Sequence, residues 1–123
     1  MDREIVAVVV SHTHGCGFCQ THHTHGLTAA LGKNNAAKIR AKKIALDWHL
    51  MGDLSEKHKT LAAFSELLTS NSKGVGKKQL NELKEVGYDE EQIVKIIEVV
   101  GWSSHSNRLT IALGVEIDDK NLE

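Results

Sequence analysis

Apolar residues recur at helical intervals along most of this 123-residue chain. Ala37, Ala41, Ile44 and Trp48 mark one face of a helix across residues 35–50, with Lys38, Arg40, Lys42 and Lys43 on its solvated side. Ser55 can cap the next helix, in which Leu61, Phe64 and Leu68 share a face. Leu80, Leu83 and Val86 continue the pattern in a short helix that stops at Gly87. Asp89 and Gln92 form a capping box for a last helix, whose apolar face includes Ile93, Ile96, Ile97 and Val100. A polar run, Ser103 to Arg108, follows before Leu109, Ile111, Ala112 and Leu113 resume the apolar pattern. Either this run is a polar patch within one long helix, serving a subunit contact or an inner hydrogen-bond network, or a loop begins after Gly101.

The first forty residues are harder to divide. Ile5, Val6, Val8, Val9 and Val10 are β-branched, and by propensity they form a buried strand. A single strand among helices has no partner to pair with, so a helix is expected instead. Gln20, Thr21, Leu27, Ala29, Ala30 and Leu31 suit a helix over residues 17–31, with Gly32 as its C-cap. Residues 70–76 read as a loop. No proline interrupts any of these stretches. The expected fold is all-α, five or six helices in a single domain over residues 1–123.

Composition narrows the function classes. Aromatic residues make up 4% of the chain, which predicts a mostly aliphatic core. Fifteen basic and sixteen acidic residues leave no bulk charge to hold nucleic acid or a membrane surface. The apolar stretch Ile5 to Val10 is too short to span a bilayer and lacks a basic leader, so a cytoplasmic location is expected. There the thiols rest reduced, and a purely structural disulfide is disfavoured. Gly74-Val75-Gly76-Lys77-Lys78 is not a phosphate-binding loop, because its glycine spacing is wrong and no strand precedes it.

The chemistry concentrates in one place. The only two cysteines are Cys16 and Cys19, and five of the eight histidines fall between His12 and His25. On a helix, positions 16, 19 and 23 lie on one face. A helix start carries free amide donors and partial positive charge, which favour a thiolate, most strongly at Cys16. Cys19 lies one turn before His23, within reach of a base. Glu4 sits on the apolar first segment, where an unpaired carboxylate is costly; it can orient His23 or accept its proton. A redox dithiol is one outcome. Zinc held by Cys16, Cys19 and His23, with Glu4, His22 or His25, is another, although structural zinc sites draw ligands from two separated segments. A helical oligomer without catalysis is the third. The remaining histidines, His12 and His14 with His22 and His25, suit surface or network roles.

Glu4, eleven intervening residues, Cys16-x-x-Cys19, three more and then His23 resemble the signature of the AhpD-like alkylhydroperoxidases, within the carboxymuconolactone decarboxylase superfamily. The flanking Arg3 to Val9 and Gly26 to Gly32 are similar too, as are Asn107-Arg108-Leu109 and Ala112 to Val115 near the C-terminus. The resemblance implies an all-helical subunit assembled as a trimer or hexamer, with no cofactor or metal. It implies that Cys19 attacks a hydroperoxide, Cys16 resolves the sulfenic acid as a disulfide, and Glu4 and His23 relay the proton. The implied reductant is a dithiol, such as a lipoylated adaptor or a thioredoxin-like protein. A general disulfide reductase is the alternative within the same chemistry. Phe18 departs from members that carry histidine between the cysteines, giving the site a greasier lip. Longer members also carry a segment before the glutamate. Lactone decarboxylation is disfavoured, because decarboxylase members generally lack the thiol pair.

Overall fold

A computed structural model describes residues 1–116. Six α-helices follow one another: α1 (Asp2–His14), α2 (Gly17–Leu31), α3 (Asn35–Asp47), α4 (Glu56–Ser70), α5 (Lys77–Glu85) and α6 (Glu90–Ala112). Two short 3-10 turns, Trp48–Leu50 and Ser72–Gly74, complete the elements, and no strand occurs among the described residues. No helix among them is long and apolar enough to cross a membrane.

The β-branched first segment is the central helix. Ile5, Val6, Ala7, Val8, Val9 and Val10 are all buried, and α1 packs against α2, α3, α4 and α6. Poor helix propensity costs up to about 0.7 kcal/mol per such residue. Full burial of a Val or Ile side chain contributes roughly 1.5–3 kcal/mol, so packing on every side wins. Leu27, Ile44, Leu61, Phe64, Leu83 and Ile96 close around it. The core is mainly aliphatic, as composition predicts, but it also takes in Trp48 and Tyr88.

Several boundaries follow the caps anticipated from sequence. Ser55 accepts from the His58 amide at 3.1 Å, and Asp89 and Gln92 form the reciprocal box that opens α6. The third helix is shorter than the expected 35–50. The backbone leaves α geometry at Asp47, and a tighter 3-10 turn keeps Trp48 buried.

The polar run in α6 is no loop, for the helix passes through it unbroken. Ser103, Ser104 and Asn107 are buried in line with Ile93, Ile96 and Val100, facing α1. Ser11 donates to Asn107 Oδ1 at 3.2 Å, and His14 Nε2 meets Ser104 Oγ at 3.0 Å. An inner network therefore explains the interruption. Ile97, expected on the apolar face, flanks this seam and is 40% exposed. Leu109, Ile111 and Leu113 are exposed as well.

Candidate active site

The site is built on the hairpin between α1 and α2. Gly15 adopts the left-handed conformation, with φ 71°. Its N–H donates to the His12 carbonyl and the Cys16 N–H to the Ser11 carbonyl, each at 3.0 Å. This Schellman closure ends α1 abruptly, and Cys16 becomes the N-cap of α2 at once. The Cys19 amide donates to Cys16 Sγ at 3.3 Å, so sulfur takes the place that a Ser or Asp oxygen usually holds. Cys16 and Cys19 are joined in a disulfide, with Cα atoms 5.3 Å apart. The pair expected reduced at rest is thus in its oxidised form here. Both residues are nearly covered, Cys16 at 2% and Cys19 at 6% exposure.

The second half of the site comes from the return of the chain. Because α2 runs back along α1, Glu4, about 16 Å before Gly15, comes level with Gly26, about 16 Å after it at ~1.5 Å per residue, and His23 is one turn nearer the bend. His23 Nδ1 lies 3.0 Å from Glu4 Oε2, and both side chains are about 30% exposed. The partner that Glu4 needs is therefore His23. An ionised carboxylate only accepts, so a hydrogen bond to it draws on an Nδ1 proton, and in the neutral form of such a ring Nε2 is the acceptor.

All four anticipated residues, Glu4, Cys16, Cys19 and His23, thus belong to one helical hairpin. Cys16 and Cys19 meet directly, as do Glu4 and His23, and Cys19 and His23 stand one turn apart on α2. The other histidines disperse. His12 pairs with the Gln20 amide at 3.1 Å. His14 bonds Ser104, and its pKa lies below the ordinary value because of burial and then the Arg108 charge. His25 is exposed. His22 stacks on Phe18 at 6.3 Å and meets the His23 ring edge-on at 5.3 Å. Among the described residues, no three His, Cys, Asp or Glu side chains gather as a metal cage.

Gly26 also lies against the Glu4–His23 pair, and no motif in the sequence points to it. A Cβ built there would lie 2.8 Å from both Cδ and Oε2 of Glu4 and 3.0 Å from Oε1. The available signal was a glycine well inside a helical stretch, where it costs about 1 kcal/mol relative to alanine.

No protein-family model matches the sequence, and no curated protein matches it. Solved structures do match in shape. An uncharacterized peroxidase-related protein from Silicibacter sp. superposes with TM-score 0.88 at 20% identity, over 98% of this chain and 60% of its own. The alkylhydroperoxidase AhpD core of a peroxidase-related protein from Ralstonia eutropha gives 0.87 at 21% identity, with 98% and 60% coverage. The debrominase Bmp8 in its apo form gives 0.80 at 19% identity, with 98% and 61% coverage. This chain therefore spans about 60% of the length of these relatives in shape. With its six helices and its cysteine pair at the start of α2, the chain has the all-helical fold of the AhpD-like peroxidase-related proteins.

Proposed function

We propose that this protein is a thiol-dependent peroxidase that reduces hydroperoxides through a Cys16–Cys19 dithiol/disulfide cycle. The observation that carries this is the Glu4–His23 pair, 3.0 Å apart, on the same hairpin as the disulfide. The fold shared with peroxidase-related proteins supports it.

In the reduced protein, His23 Nε2 takes the Cys19 proton, and Glu4 stabilises the imidazolium that forms. The Cys19 thiolate attacks the terminal peroxide oxygen. The O–O bond breaks, an S–O bond forms, and the alcohol leaves after taking up a proton. Cys16 then attacks the Cys19 sulfenic sulfur and expels water, which closes the disulfide. A dithiol reductant, such as a lipoylated adaptor or a thioredoxin-like protein, returns both electrons by exchange.

The division of labour follows from position. Cys16 is the N-cap and receives the Cys19 amide, an arrangement that favours negative charge on its sulfur. A stabilised thiolate is also the better leaving group. Reductant attack on Cys19, the slightly more exposed partner, would release Cys16 in that form. Helix-start stabilisation of Cys16 and peroxide attack by Cys19 are therefore compatible.

Replacing Cys19 with serine tests the proposal. Cys19→Ser is expected to abolish hydroperoxide turnover with a dithiol reductant, and full activity in that variant overturns it. A disulfide reductase without peroxidase activity is the second reading, since the Cys16–Cys19 pair by itself is enough for thiol–disulfide exchange. It predicts reduction of protein disulfides with hydroperoxide left unconsumed. We also infer self-association, because Trp102, Leu109 and Leu113 leave apolar surface open on and just beyond α6; the trimer or hexamer is what the family resemblance implies. Sedimentation as a monomer at micromolar concentration contradicts that inference.

A further inference from the structure

We propose that Gly26 is a positioning residue for the proton relay: its missing side chain is the space in which the Glu4 carboxylate lies to hold His23. The inference rests on the function proposed above. Gly26 sits in the interior of α2, with no left-handed backbone to require glycine. Neither turn geometry nor capping explains it there. The three atoms nearest to where its Cβ would stand all belong to one functional group, the Glu4 carboxylate. A Cβ at position 26 would stand 2.8 Å from Cδ, 2.8 Å from Oε2 and 3.0 Å from Oε1, closer than non-bonded carbon atoms approach at their optimum of roughly 3.5–4.0 Å.

Of the two oxygens the more crowded would be Oε2, the atom that receives His23 Nδ1. Gly26 is three residues beyond His23, on the adjacent turn of the same helix face. The carboxylate therefore rests across bare backbone at one residue and points to the imidazole of the other. A methyl group at position 26 leaves α2 intact, because the crowded atoms are the far end of a flexible side chain. It moves the carboxylate instead, and the hydrogen bond that fixes the His23 tautomer is lost.

The experiment compares wild type, Gly26→Ala, Glu4→Ala and the double variant, each in the dithiol-reduced form. Two quantities are read: the single-turnover rate of thiol oxidation by hydroperoxide, and the His23 ring tautomer from proton–nitrogen NMR, with His23 assigned against His23→Gln. Gly26→Ala is expected to slow oxidation by about 10–100-fold, at or below the low end of general acid–base loss. Its thermal midpoint stays unchanged or rises, because alanine favours the helix. The ring moves away from the Nδ1–H tautomer, as it does in Glu4→Ala. The double variant is no slower than Glu4→Ala alone, because no carboxylate remains to be displaced.

Two results overturn the proposal. One is a Gly26→Ala protein with wild-type rate and tautomer. The other is a Gly26→Ala penalty of equal size with and without Glu4, which marks a general packing role. If wild type ignores hydroperoxide altogether, the peroxidase reading fails. The tautomer comparison still decides the role of Gly26.

Discussion

Gly15, Gly26 and the Glu4–His23 pair are the single residues on which the proposed chemistry depends most. Gly15 holds φ 71°, where a β-carbon is strained, and its turn delivers Cys16 to the start of α2. Gly15→Ala is expected to cost about 1 kcal/mol in chemical denaturation; unchanged stability contradicts a strained turn. Glu4→Gln and His23→Gln should each slow peroxide reduction by ~10²–10⁴-fold while leaving the disulfide able to form with a strong oxidant. Stopped-flow oxidation of the reduced protein checks both, and a loss below about threefold in either contradicts the relay. The common face of Cys16, Cys19 and His23 was legible from helical spacing, whereas Glu4 was singled out by its apolar segment and by the family resemblance, and its place beside His23 was not legible. Gly26 was not, because its reason is a contact with a residue far away in sequence. Such a contact exists only once α2 folds back on α1.

At the scale of elements, α1 and α6 carry the lesson. The Ile5 to Val10 segment has strand propensity and helical structure, and the absence of any strand partner decided between them. Its burial against four other helices supplies what propensity lacks. Leu61 of α4 is fully buried in the cluster around α1, so Leu61→Ala is expected to destabilise the protein by roughly 2–5 kcal/mol in urea unfolding. A loss under about 1 kcal/mol contradicts a tightly packed centre. In α6, the run from Ser103 to Arg108 could be read from sequence as a loop or as a helical patch, since periodicity cannot see hydrogen-bond partners. Ser11 and His14 on α1 are those partners.

His14 also gives this contact a pH dependence. Burial and Arg108 lower its pKa from 6.5, so the folded chain keeps the ring neutral where the unfolded chain binds a proton. Its contribution is complete above pH 6.5 and is lost as pH falls through the folded value. The thermal midpoint of His14→Gln should therefore decline less steeply than that of wild type from about pH 7 to about pH 5. Parallel declines contradict the link.

For the molecule as a whole, the all-α fold and its order of helices could be read from apolar spacing and caps. Helix ends drifted where tertiary packing chose the turn, as at Asp47 and Trp48. The exposed, largely apolar stretch from Leu109 to Val115 had no sequence signal to separate it from core. Periodicity reports that a face is apolar, not what covers it. The hairpin of α1 and α2 is the part on which the proposed function depends, since it alone brings the thiols, the base and the acid together. The most direct measurement is to reduce the protein fully, add one equivalent of hydroperoxide and quantify alcohol and protein mass together. A peroxidase cycle predicts one alcohol formed per chain and a mass lower by two hydrogen atoms, mapped to a Cys16–Cys19 disulfide. Hydroperoxide left intact beside a fully reduced pair contradicts it.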